Sequence, residues 1–320
     1  MERDTLTDSR ITARNGREER FSGHESFVCR YGWLRKLHDA ICTSPKIFAD
    51  EEEAIIALGI GKNMVRSIRF WGEAFSLMEG SPTQGYHPTA FGRCLLDEDT
   101  GMDPYLEDRD SLWLLHWKIT AKADLAAWNV AFQDIHDYQF AKKRFVELVY
   151  LRGRRANKEL AESTIRQHSD IFLNTYACMN RHYDAQTLDE ALGSPLQELG
   201  LLAKSATDVR DDVFHFDIGP KRGLNSQVFL YALLDYWEHI ASADKTLSLK
   251  KVMFGALSPG AVFKLGEYDV LQYLDEVENL TDGLIQFVDG ADVRSLHMNR
   301  DADPSSLKVR LGFDELSPRI

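Results

Sequence analysis

No stretch of this 320-residue chain approaches the roughly 18 consecutive apolar residues of a membrane-spanning helix. The first twenty residues, MERDTLTDSRITARNGREER, have no apolar core and do not read as a secretory signal. Their polar, mixed-charge composition predicts a disordered lead-in. Cysteine is scarce: Cys29, Cys42, Cys94 and Cys178 form no CxxC and no paired Cys/His spacing. That argues against zinc and for reduced thiols in a cytoplasmic protein. Positive charge is short as well, since 38 Lys and Arg face 50 Asp and Glu for a net charge of −12. Such a chain does not coat nucleic acid over its whole surface. Screening limits charges to about 8–10 Å at physiological salt, however, so local basic patches still act. Nuclease patterns of the PD-(D/E)xK, HNH or GIY-YIG type are missing, and Gly219-Pro220-Lys221-Arg222-Gly223 lacks the GxxxxGK[ST] spacing of a nucleotide loop.

What is present centres on residues 54–78, AIIALGIGKNMVRSIRFWGEAFSLM. A short helix, a turn at Gly59-Ile60-Gly61 and a second helix from about Lys62 account for the pattern. Met64, Ile68, Trp71, Phe75 and Met78 recur at spacings of four and three, which predicts one buried stripe. At about 100° per residue Lys62, Arg66 and Arg69 share the opposite face, with Asn63 at its edge. Two helices joined by a short glycine turn form the helix-turn-helix pattern, whose second helix enters the DNA major groove. The plain alternative is two amphipathic helices with solvated arginines. Residues 86–96 follow as a hairpin or a further helix turn, in the place of a wing.

Around this element lie candidate chemical groups. His24 and Glu25, between Phe21 and Phe27, are suited to acid–base work or to holding a metal; bridging local backbone is the competing role. Asp50 to Glu53 read as a helix start, because acidic residues suit the first turn of a helix. The segment 97–110, DEDTGMDPYLEDRD, places Asp103, Glu107 and Asp108 close enough in sequence to ligate Mg²⁺ or Mn²⁺. A solvated loop with Asp110 and Ser111 capping the next helix is the alternative.

Residues 111–176 read as a run of helices, with His116 packed among Trp113 and Trp117. Between Lys142 and Arg166 eight basic residues (Lys142, Lys143, Arg144, Arg152, Arg154, Arg155, Lys158, Arg166) outnumber Glu147, Glu159 and Glu162. Arg152, Arg154 and Arg155, in an RGRR read as lying between two helices, suit phosphate contacts. From about Ser194 the texture changes: a short helix over 196–204, a strand over 213–218 and a buried helix over 228–240. Helices over 247–254 and 261–279 then precede alternating runs around Asp289-Gly290, a hairpin signal. That order repeats helix, turn, helix, hairpin, here with an acidic second helix suited to docking on protein. The tail after Asp301 reads as loose. The expected class is mainly α (α+β). Its domains are a winged-helix-like one over 21–110, a helical one over 111–190 and a second winged-helix-like one over 191–300, between a lead-in (1–20) and a flexible tail (301–320).

FSGHESF at 21–27, ALGIGKNMVRSIRFWGEAF at 57–75, DPYLEDRDSLWLLHW at 103–117 and, more weakly, FDIGPKRGLNSQVFLYALLDYW at 216–237 together resemble one bacterial family. It was formerly one of unknown function and is typified by the B component of the Ssp system. Its members occur in gene clusters for DNA phosphorothioate modification and phage defence, beside sulfur-transfer and ATPase proteins. The resemblance implies double-stranded DNA as partner and nicking of one strand for sulfur incorporation, with a homodimer compatible. The resemblance assigns no catalytic residue; by nearness in sequence to the helix-turn-helix, His24, Glu25, Asp103 and Glu107 are the catalytic candidates, and Asp103, Glu107 and Asp108 the metal candidates for Mg or Mn. Lys62, Asn63, Arg66, Arg69, Arg152, Arg154 and Arg155 are the DNA-binding candidates. A non-catalytic adaptor that recruits the sulfur-transfer enzymes, and a transcription regulator, are the other readings.

Overall fold

The structure, a computed structural model, describes residues 18–156, 159–177, 193–205, 212–241, 243–290 and 293–313; Lys158 and Cys178 lie outside them. The N-terminal part is built from α1 (Trp33–Thr43), α2 (Glu51–Leu58) and α3 (Lys62–Ala74), followed by β1 (Met78–Ser81), β2 (Gly85–Pro88) and α4 (Ala90–Leu96). Asp50 starts α2 by accepting from the amides of Glu52 and Glu53, and Glu51 to Glu53 fill the first turn, where the helix dipole favours them. Gly59 ends it at φ +62°, a left-handed conformation that glycine adopts without Cβ strain.

Helix α3 buries Val65, Ile68, Phe70, Trp71 and Ala74. Met64 is only half-buried, and Met78 falls beyond the helix, in β1. Close packing of α1 on α3 depends on Gly72, where a Cβ would stand 2.2 Å from the Leu37 Cδ2. The segment after α3 is both a hairpin and a helix: β1 and β2 pair antiparallel with Met78 opposite Pro88, and Thr89 then caps α4 through the Gly92 amide.

Helix α5 (Arg109–Lys122) has no solvent face, for every residue from Ser111 to Ala121 is buried. A helix of this kind needs an internal partner for each polar group. Trp117 Nε1 donates to Asp235 at 3.0 Å, and Lys118 Nζ donates to the Tyr231 hydroxyl at 2.6 Å. Burial pushes the Lys118 pKa down to about 7. His116 packs between the Tyr176 hydroxyl and the Val262 carbonyl, a core histidine as expected.

Helix α6 (Ala126–Asn129) runs into a π-helical turn at Val130–Asp134; β3 (Gln139–Ala141), α7 (Lys142–Arg155) and α8 (Glu162–Tyr176) follow. The helix expected over 196–204 is instead a 3-10 turn, Pro195–Leu199, and a strand, β4 (Leu202–Lys204). Strand β5 (Val213–Phe216) is the centre of an antiparallel sheet ordered β3-β5-β4. One strand of that sheet precedes residue 190 and two follow it.

Helix α9 (Ser226–Ala241) is followed by β6 (Thr246–Ser248), α10 (Leu249–Phe254), α11 (Pro259–Val262) and α12 (Glu267–Leu280). The hairpin of β7 (Ile285–Asp289) and β8 (Arg294–Met298) takes β6 as a third strand in the order β6-β8-β7. The expected loose tail holds a helix, α13 (Pro304–Arg310), with Leu307 buried and Lys308 paired to Glu238 on α9. The architecture is mixed α+β, helix-rich, with small antiparallel sheets.

Candidate nucleic-acid interface

The outward face of α3 carries the predicted basic stripe. Lys62 and Asn63 are exposed, and Arg66 and Arg69 are half-buried at the rim of the helix. Their spacing of four and three aligns the cations over two turns, opposite the buried face. Two of the three are already matched within the protein. Glu51, in the first turn of α2, takes Lys62 Nζ on one carboxylate oxygen at 2.6 Å and Arg66 Nε on the other at 2.7 Å. Arg69 has no acidic partner among the described residues, and it lies near Tyr86, whose hydroxyl donates to Glu73 at 2.9 Å.

The second basic region is divided by its orientation. The RGRR segment is not a linker; it forms the last turn of α7, where basic residues suit the helix dipole. Arg152 points inward, 6% exposed. Its Nε bonds both oxygens of Glu19 at 2.8 Å, and its terminal nitrogens reach Asp134 at 2.8 Å and Gln133 at 3.0 Å. Buried and paired with Glu19, Asp134 and Gln133, this guanidinium is turned into the protein and not toward a phosphate, so the expectation for Arg152 is corrected to a structural one. Glu19 also accepts from Asn129. Arg20 bonds the Ala123 carbonyl and pairs with Glu73, so the expected disordered lead-in is already anchored at residues 19 and 20. Arg154 and Arg155 are exposed and lack an acidic partner among the described residues. Lys142, Arg144 and Arg166 are tied to Asp170, Glu147 and Glu162.

The catalytic and metal candidates are not brought together. His24 is buried and bonds His168 through Nε2 at 2.9 Å and the Glu25 backbone carbonyl through Nδ1 at 2.7 Å. His168 Nε2 accepts the Ala127 amide, so its proton lies on Nδ1 and is donated to His24. This leaves His24 without a free lone pair, and burial lowers its pKa further. It bridges backbone instead of poising an acid–base pair with the Glu25 carboxylate. Asp103 is buried with its two oxygens accepting the amides of Glu107 and Asp108, a loop-closing role. Among the described residues no group of three His, Cys, Asp or Glu side chains is placed to hold a metal, and Asp103, Glu107 and Asp108 form no such cage.

Three long-range partners escaped the sequence reading: Glu51 for the α3 cations, Glu19 for Arg152 and His168 for His24. Only Glu51 left a local signal, as an acidic residue one helix before the basic stripe.

Against known proteins, no curated protein matches the sequence. A crystal structure of magnesium ion-bound SspB is similar at a TM-score of 0.79 and 29% identity, over 93% of this chain and 88% of that one. A second SspB crystal structure is similar at 0.78 and 28%, with the same coverage. The family described as a protein of unknown function, DUF4007, matches residues 21–310. The chain therefore belongs to the DUF4007 family and is SspB-like over most of its length.

Proposed function

We propose that the chain is the DNA-holding component of a phosphorothioate modification and phage-defence system. One observation carries this reading: α3 presents Lys62, Asn63, Arg66 and Arg69 outward in a helix-turn-helix followed by an antiparallel hairpin. In that winged-helix-like arrangement the second helix lies in the major groove, where asparagine and arginine pair with base edges. Arg154 and Arg155 serve as sequence-independent phosphate contacts. The acidic C-terminal part, with Asp275, Glu276 and Glu278 on α12, is the surface for the sulfur-transfer and ATPase partners.

Nicking of one strand is the second reading, favoured by the magnesium ion in the similar SspB crystal structure. Magnesium keeps several waters and takes one or two carboxylates together with phosphate oxygens. Asp103, Glu107 and Asp108 do not fit a three-carboxylate cage, so cleavage is not assigned to them.

The test is incubation with supercoiled plasmid in Mg²⁺, Mn²⁺ or EDTA, resolving nicked from closed circles beside a gel shift. A shift without nicking, lost when Arg66 and Arg69 are both changed to alanine, is the expected result. Metal-dependent nicking moves the assignment to the second reading, and neither shift nor nicking refutes both.

A further inference from the structure

The α3 cations would meet DNA only after leaving an internal anion. Glu51 holds Lys62 on one oxygen and Arg66 on the other, at 2.6 and 2.7 Å, with the carboxylate itself 34% exposed. This is the bonding a DNA phosphate would offer the same pair: two anionic oxygens, one for an ammonium and one for a guanidinium. Lys62, and then Arg66, hold the Glu51 carboxyl below the usual carboxylate range, so it stays charged at neutral pH. Glu51, Arg66 and Arg69 line one cavity of about 260 Å³ at the foot of the helix. Neighbouring Glu52 and Glu53 point elsewhere: they have no cationic partner among the described residues and give only their amides to the Asp50 cap.

We infer that Glu51 is an internal phosphate surrogate that restrains non-specific DNA binding by the α3 face. The inference rests on the DNA-holding reading above. Non-specific affinity comes almost wholly from cations neutralising phosphates. A carboxylate already seated on Lys62 and Arg66 weakens that contribution for every sequence. Base contacts through Asn63 and Arg69, which Glu51 does not touch, are left intact and count only at a matching site. The surrogate therefore raises discrimination at some cost in total affinity. An alternative role for the same contacts is to hold Lys62 and Arg66 in the rotamers that DNA needs, and this predicts the opposite sign.

The experiment uses the full chain and a fluorescent mixed-sequence duplex, with anisotropy titrations over a salt series for wild type, Glu51→Gln, Glu52→Gln and the Arg66→Ala/Arg69→Ala double variant. Glu51→Gln is expected to bind several-fold tighter than wild type. Its plot of log K against log salt should steepen by about 0.9 for each cation released. Glu52→Gln controls for simple loss of a negative charge and should gain less. Adding Lys62→Ala to Glu51→Gln should remove the Lys62 share of the gain, and adding Arg66→Ala as well should remove the rest. Equal or weaker binding by Glu51→Gln, or an equal gain from Glu52→Gln, overturns the surrogate while the double variant still shows α3 to bind DNA. Unchanged binding by the double variant overturns the DNA-holding reading itself, and the surrogate with it.

Discussion

Acidification should destabilise this protein through histidines that are buried in the neutral form. His116 is the one whose contribution can be worked through. It is fully buried, held by the Tyr176 hydroxyl at 2.8 Å and the Val262 carbonyl at 3.0 Å, and burial pushes its pKa from 6.5 down to about 4. Between those values the unfolded chain binds a proton that the folded chain refuses. Stability is therefore complete above the unfolded pKa and falls as pH drops below it, by about 1.4 kcal/mol per pH unit for one group. At about pH 5, one and a half units below 6.5, His116 alone costs ~2 kcal/mol. His168, lowered by burial and then by His24 and Arg20, acts with the same sign, as does His24. Their tautomers explain the intolerance. A proton added to His24 Nε2 meets the His168 Nδ1–H, and one added to His168 Nε2 meets the Ala127 amide N–H.

Urea unfolding followed by fluorescence of the buried tryptophans, at several pH values from about 7.5 to 5, reads this directly. His116→Phe should start less stable, because it leaves the Val262 carbonyl unpaired, yet lose stability more slowly on acidification, by about 1.4 kcal/mol per pH unit. An unchanged slope in the folded variant, or a wild type that gains stability towards pH 5, would refute the reasoning.

Other outcomes follow from single contacts. Arg152→Ala strands the buried Glu19 carboxylate and should cost about 3–5 kcal/mol in the same unfolding assay, where a surface phosphate-binding arginine would cost almost nothing. Arg154→Ala with Arg155→Ala should leave stability intact while weakening duplex binding, with a salt slope shallower by about 0.9 per lost phosphate contact. Asp103→Ala removes the acceptor for two amides and should lower stability by about 1–3 kcal/mol. Its magnesium affinity by calorimetry should match wild type, and a large loss would restore Asp103 as a ligand.

The parts of the fold legible in sequence were those specified locally. Gly59 and Gly61 bracket the turn, and the four-and-three spacing of Ile68, Trp71 and Phe75 orients α3. The runs flanking Asp289 and Gly290 mark the β7–β8 hairpin. Where tertiary pairing decided the outcome, local pattern misled. Leu202 to Lys204 continues an apparent helix in sequence, but pairing with β5 draws it into a strand. Arg152 looks like its neighbours Arg154 and Arg155, and only Glu19, 133 positions away, reveals its inward direction. For His24 the sequence leaves acid–base work and backbone bridging both open, and only the contact with His168, 144 positions away, shows its ring nitrogen to be occupied. Position near the C-terminus suggests a loose tail, yet Asp303 and Pro304 are an N-cap and first-turn pair that starts α13.

The most direct test of the account is the affinity of the full chain for duplex DNA, measured by anisotropy at low and physiological salt for wild type and for Arg66→Ala/Arg69→Ala. The account predicts a folded double variant with markedly weaker binding and a flatter salt dependence. Equal affinity and equal slope, in a variant with the wild-type melting transition, would contradict it and remove α3 from the DNA interface.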